Sequence, residues 1–312
     1  MRINRVVIVG AGAMGSFFAA RLSEAGADVA LVDVDDARLA ALARDGVTVD
    51  DALGTRTVPV AATRAGGLSG PADLIILFTK GAHTAAAAAS VAHLIGPDSY
   101  ALTLQNGIGN ADAIADVVPP DRILVGVTDI PCDLTGPTSV ASHGQGRILL
   151  GGHRDQDGAA PDAVVALLRG AGLDAAHDPA VQVAIWEKIA FNAAMNALCT
   201  VMGSTVGDLD TPAGRRLIAA VTSEVVAVAG ATGLSVDADR IAGKIDHALA
   251  HHVGHKPSML QDRIAGRPTE IETINGAVVR IAAAHDVAVP VNRTLADLVR
   301  TIEAARRSET RA

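Results

Sequence analysis

A doubly wound α/β domain followed by an all-α domain is predicted by three features of this sequence. Apolar β-rich runs alternate with helical stretches over the first half, a glycine-rich turn joins the first run to the first helix, and helical periodicity is nearly unbroken after residue 178. The chain has 312 residues, and domains average roughly 150. Two are therefore expected, 1–178 and 179–312.

The runs at Arg5–Gly10, Asp28–Asp33, Ala72–Thr79, Ser99–Gln105 and Arg122–Val127 are short, aliphatic and β-branched, as strands of a parallel sheet covered on both faces should be. Helical stretches at Ser16–Ala25, Asp36–Arg44 and His83–Leu94 fall between them. The segment "SVASHGQGRILLGG" (139–152) has glycines in its middle and predicts a hairpin on the sheet edge. A helix at Pro161–Arg169 follows. At "HDPAV", Asp178 can cap and Pro179 can open the next helix, which sets the domain boundary. Beyond it, helices are predicted at Val181–Met202, Thr211–Gly230, Ala238–Val253, Thr269–His285 and Val291–Arg306, with Thr269 as an N-cap.

A hydrophobic share of 49% beside 19% charged residues supplies sizeable cores. The net charge of −8 argues against nucleic acid or an anionic membrane as partner, since both require a basic face. The basic tail "AARRSETRA" reads as a frayed C-terminus. Cys132 and Cys199 lie far apart and outside any metal-ligand spacing, which suggests reduced thiols in a cytoplasmic protein, although spacing alone leaves a disulfide open. The apolar start resembles a secretion signal, but glycines interrupt it and Arg21 closes it too early for a membrane span.

That start, "VVIVGAGAMG", places Gly10, Gly12 and Gly15 in G-x-G-x-x-G spacing, with Ala13 and Met14 between the last two, after a strand and before a helix. The first glycine allows a tight turn, the second admits a pyrophosphate and the third permits close helix packing. Asp33 ends the second strand, where a carboxylate accepts hydrogen bonds from an adenosine ribose. This is a Rossmann-type dinucleotide turn. Asp35 and Asp36 add negative charge with only Arg38 near to offset it, so NAD is favoured over NADP.

In "WEKIAFNAAMNALC" (186–199), Lys188, Asn192 and Asn196 follow one another at steps of four. At about 100° per residue such positions form one narrow stripe. It is either the solvent edge of an amphipathic helix or the lining of a site.

Together, "LFTKGAHT" (77–84), "LQNGIGN" (104–110), "WEKIAFNAAMN" (186–196) and "HKPSMLQDRIAGRPTEIETINGAVV" (255–279) resemble the ketopantoate reductase (2-dehydropantoate 2-reductase) family from Val6 to about Ala283. The resemblance implies that Lys188 donates a proton to the substrate carbonyl across a cleft between domains. It implies that Asn192 and Asn196 hold the substrate, Ser258 contacts its carboxylate, and Glu270 binds its hydroxyl end and orients the lysine. Lys80 and Asn106 match residues beside the nicotinamide. Many members use NADPH, from which Asp33 departs, and His255 stands where some relatives carry a polar amide.

The chemistry requires these residue types. Hydride addition to a ketone leaves an alkoxide, which an ammonium stabilises and then protonates; a nearby carboxylate keeps a half-buried lysine charged. His247, His251 and His255 are spaced i, i+4, i+8, but no H-E-x-x-H carboxylate accompanies them and Gly254 breaks the helix, so no metal site is expected. The expected activity is reduction of 2-dehydropantoate to (R)-pantoate. An NAD-dependent D-2-hydroxy-acid dehydrogenase for other branched or aromatic 2-oxo acids is the alternative. A nucleotide-binding scaffold without turnover would lack the acid and its partner, and both are present. The apolar helical half is compatible with a homodimer, which the sequence does not decide.

Overall fold

The computed structural model describes residues 3–144, 146–154 and 159–309. In chain order the first part contains β1 (Arg5–Val9), α1 (Ala13–Glu24), β2 (Asp28–Val32), α2 (Asp36–Asp45), β3 (Val47–Asp51), β4 (Gly54–Val58), β5 (Ala61–Thr63), β6 (Ala72–Leu77), α3 (Thr84–Ser90), β7 (Ile95–Thr103), α4 (Asn110–Ile114), β8 (Ile123–Thr128), β9 (Asp133–Leu134), β10 (Ser139–Ser142), β11 (Arg147–Gly152), α5 (Ala159–Gly170) and β12 (Asp174–His177). The second part is helical: α6 (Val181–Met202), α7 (Pro212–Ala231), α8 (Ala238–His251), α9 (Ser258–Ala265), α10 (Asn275–Ala284) and α11 (Pro290–Glu309). The packing divides the chain into two compact units, one of residues 1–105 and 110–181, the other of 106–109 and 182–312.

In the first unit an eight-stranded sheet runs β12-β11-β8-β7-β6-β1-β2-β5. From β5 to β8 this is the doubly wound order 3-2-1-4-5-6, whose strand order reverses between β1 and β6. Ligands of such sheets bind at the carboxyl ends of the strands beside that reversal. The central strands are aliphatic and covered on both faces; Val6, Val7, Ile8, Leu74 and Ile76 are fully buried.

The predicted hairpin over 139–152 does not form. β10 pairs parallel with β3 in a separate four-stranded sheet, whereas β11 joins the main sheet antiparallel to β8. The glycines between them serve a change of sheet, and Gln145 lies outside the described residues. A half-buried ion cluster ties the small sheet to α1: Asp51 takes Arg21 at 3.1 Å and Arg56 at 2.7 Å, and Arg56 also reaches Glu24. Burial raises the Asp51 pKa, but the Arg56 bond and the Leu53 amide outweigh it and hold the carboxyl below its usual range.

Two further expectations are corrected. Asp178 caps a turn, accepting from Ala180 N at 2.9 Å, and Pro179 precedes α6 rather than opening it. The tail expected to fray is helical through Glu309, and 310–312 lie outside the described residues. Both cysteines are free thiols, and burial pushes each up to about 12. Among the described residues, no helix is long and apolar enough to cross a membrane.

Candidate active site

Gly10 follows β1 with φ +107°, and a Cβ there would lie 2.9 Å from Thr79 N at the end of β6. Only glycine allows the two strand ends to approach so closely. A Cβ on Gly15 would sit 1.8 Å from the Gly10 carbonyl oxygen, so α1 packs directly on the turn. At Gly12 a Cβ would meet nothing within 4 Å. That open ground lies at the start of α1, where the amides of Ala13, Met14 and Gly15 have no intrahelical partners, and it fits a pyrophosphate.

Asp33 holds the turn through neighbouring backbone amides. Its Oδ2 accepts from Ala11 N at 2.6 Å, and its Oδ1 from Val34 N at 2.7 Å and Asp35 N at 3.1 Å. A carboxylate offers about four acceptor positions, which leaves one on Oδ2 for a ribose hydroxyl. The surrounding charge is also better balanced than the sequence suggested. Besides half-buried Arg38, whose Nη2 lies 3.5 Å from Ser16 Oγ, Arg64 pairs with Asp36 at 2.5 Å. Arg64 is distant in sequence, and only the β2–β5 pairing brings it near. Lys80 is half-buried in the turn after β6.

In the helical unit the stripe on α6 is no solvent edge. Asn192 and Asn196 are buried, Thr200 one turn further is fully buried, and Lys188 is half-buried. The alanines between them let neighbouring helices close over the rest of α6, and polar groups so enclosed need partners. Asn196 Oδ1 accepts from Met259 N at 3.3 Å and so anchors the start of α9, whose exposed first residue is Ser258. Glu187 is also buried and pairs with Arg240 at 3.2 Å and Lys244 at 3.7 Å on α8.

Glu270 lies in a turn, not in a helix. The helix predicted from Thr269 begins instead at Asn275. The Glu270 carbonyl takes the amides of Thr273 and Ile274, and Ile274 then leaves helical geometry at ψ −97°. Thr269 Oγ1 accepts from Ile271 N at 3.3 Å within that turn. The turn receives the short segment 106–109: Ile108 N donates to Thr273 O at 2.8 Å, and Asn106 Nδ2 donates to Glu270 Oε2 at 3.2 Å. A Cβ on Gly107, at φ +94°, would lie 2.5 Å from Thr273 O, so only glycine fits. Asn106 and Glu270, far apart in sequence, are thus in direct contact.

The three-histidine face implied by spacing does not exist, because α8 ends at His251 and His255 lies beyond it. His247 and His251 stack at 4.4 Å. Among the described residues no three His, Cys, Asp or Glu side chains are placed to hold a metal.

A doubly wound sheet with this glycine turn and carboxylate defines a dinucleotide-binding protein. The family profile "Ketopantoate reductase PanE/ApbA" matches residues 6–155, and "Ketopantoate reductase PanE/ApbA C terminal" matches 180–303. The chain belongs to the ketopantoate reductase family. A 2-dehydropantoate 2-reductase of Halobacterium salinarum is 35% identical, over 95% of this chain and 98% of its own. The solved 2-dehydropantoate 2-reductase of Geobacter metallireducens is 30% identical with TM-score 0.89, covering 95% of this chain and 99% of that one. The ternary structure of D-mandelate dehydrogenase with NADH and anilino(oxo)acetate is 30% identical with TM-score 0.92, covering 97% and 99%.

Proposed function

We propose that this enzyme reduces 2-dehydropantoate to (R)-pantoate, with the N-terminal unit holding NADH and the helical unit holding the keto acid. The observation that carries the reading is the pairing of Asn106 with Glu270 in the same unit as half-buried Lys188 and the buried Asn192 and Asn196. When bound, the nicotinamide supplies hydride to the substrate carbonyl carbon. Lys188 stabilises the alkoxide that results and passes it a proton from its ammonium. Glu270, held by Asn106, supplies the negative charge that keeps the ammonium protonated. Asn192, Asn196 and Ser258 offer neutral donors to the substrate's carboxylate and hydroxyl.

The test follows NADH and NADPH consumption by the purified protein with 2-dehydropantoate, 2-oxoisovalerate and benzoylformate. 2-Dehydropantoate should give the highest kcat/KM. The second reading, a D-2-hydroxy-acid dehydrogenase, is favoured by the NADH-bound D-mandelate dehydrogenase neighbour and by Asp33. A preference for benzoylformate or 2-oxoisovalerate would establish it and overturn the first.

NADH is the proposed coenzyme, because Asp33 retains an acceptor for a ribose hydroxyl and repels a 2′-phosphate. Since the same carboxylate holds three backbone amides, Asp33→Ser should not simply exchange one coenzyme for the other. Hydrogen bonds to a charged group contribute about 1.5–3 kcal/mol, so KM for NADH should rise about tenfold or more while NADPH gains far less. A clean reversal of preference would show that Asp33 has no part in holding the turn. The free thiols suit a cytoplasmic setting.

A further inference from the structure

We propose that Asn275 and Asn292 are positioning residues, which fix the helix bearing Lys188 against the turn bearing Glu270; this rests on the roles given to those two groups above. Both asparagines are fully buried. Asn275, the first residue of α10, uses both amide hydrogens: one goes to Ala193 O on α6 at 3.0 Å, the other to Asn292 Oδ1 on α11 at 3.1 Å. Asn292 passes its own two to Val221 O at 3.1 Å and Glu224 Oε2 at 2.8 Å on α7. Glu224 also accepts from Val291 N and Asn292 N, each at 2.9 Å. One chain of hydrogen bonds therefore joins four helices through side chains that an aliphatic core could have replaced.

Stability does not explain the arrangement well. The Asn275 Oδ1 is buried without a hydrogen-bond partner. Such an acceptor costs about 1–3 kcal/mol, and an apolar residue of similar volume would avoid that cost. What an apolar residue cannot supply is register. Packed aliphatic faces allow a helix to turn or slide by a fraction of an ångström, whereas a hydrogen bond to one carbonyl fixes which residue faces the neighbour. Ala193 directly follows Asn192 of the stripe. Asn275 directly follows the turn containing Glu270. The Asn275–Ala193 bond thus links the proton donor's helix directly to the end of the carboxylate's turn, and Asn292 holds the amide that makes it. Displacements near 1 Å in such a constellation cost about a hundredfold in rate.

The experiment compares Asn275→Leu, Asn292→Leu and their double variant with wild type, measuring kcat with 2-dehydropantoate, Kd for NADH, Tm, and the solvent deuterium isotope effect on kcat. Leu249→Ala, in the same helical core but outside the network, serves as a destabilised control. Asn275→Leu should lower kcat at least tenfold, leave Kd for NADH within twofold, and enlarge the isotope effect as proton delivery becomes limiting. Asn292→Leu should act in the same direction, and the double variant should be little worse than Asn275→Leu alone, because both interrupt one network. Leu249→Ala should lose Tm yet keep kcat below its transition.

Near-normal kcat in Asn275→Leu, or a loss that follows Tm as in the control, would overturn the proposal. If Asn275→Leu does not fold, Asn275→Ala and Asn292→Ala give the same reading. An active Lys188→Ala would instead refute the acid assignment itself, so the two failures are distinguishable.

Discussion

Replacement of Lys188 by alanine should lower kcat by about two to four orders of magnitude, the range that a positioned general acid contributes. NADH should bind as before, since the glycine turn and Asp33 belong to the other compact unit. The side chain is half-buried on a helix whose neighbouring alanines are fully buried, so its removal leaves a small polar gap and little lost apolar packing. Tm should therefore change far less than the rate. Lys188→Arg should not restore activity: guanidinium stays protonated at every working pH and is a poor proton donor, and its planar fork differs in shape from an ammonium. Stopped-flow turnover and fluorescence titration of NADH separate the two quantities. Near-normal turnover in Lys188→Ala would remove it as the acid.

The second large effect is expected at Gly15. An alanine Cβ would stand 1.8 Å from the Gly10 carbonyl oxygen and 3.0 Å from its carbon, both backbone atoms of the turn. Neither α1 nor β1 can yield alone, because Phe18 on the helix and Ile8 on the strand are fully buried in one core. Overpacking against backbone should cost about 3 kcal/mol, which for a compact unit of about 150–250 residues lowers Tm by roughly 6–12 °C, and NADH affinity should fall with it. Gly12→Ala is the informative partner. Gly12 has φ −67° and open space around its Cβ position, so alanine there should leave Tm unchanged and weaken NADH binding by intruding on the ground proposed for the pyrophosphate. If both variants lost stability equally, the division of labour between the two glycines would be wrong.

Much of the site was legible in the chain because its signals are local. The glycine spacing, the carboxylate ending β2 and the stripe of Lys188, Asn192 and Asn196 each occupy one element and its flanks, where a 3.6- or 2-residue period fixes direction. Other features depend on partners distant in sequence. β3 and β4, "VTVDD" and "GTRTV", carry half-exposed polar residues and pair with each other, but their place in the fold depends on β10 and on the cluster of Asp51 with Arg21 and Arg56. The same nonlocal pairing sent β10 and β11 into different sheets. Glu270 was found by likeness to other sequences, but its place in a turn, and its bond to Asn106, come from packing of 106–109 on 269–274. Asn275 stood in a recognised motif with no role attached, since nothing in "INGAVV" reveals that its amide meets Ala193.

The sequence alone determined the two architectures and the dinucleotide turn, because strand alternation, helical period and glycine geometry are short-range consequences of backbone sterics; the residue types of a keto-acid reductase were legible only through likeness to a family. Tertiary structure decided which polar groups are buried, that Asp33 supports the turn through three backbone amides, and which amide ties the α6 helix to the residue after the Glu270 turn. Those outcomes depend on desolvation and hydrogen bonding between segments that only the closed core brings together, and no local pattern encodes them.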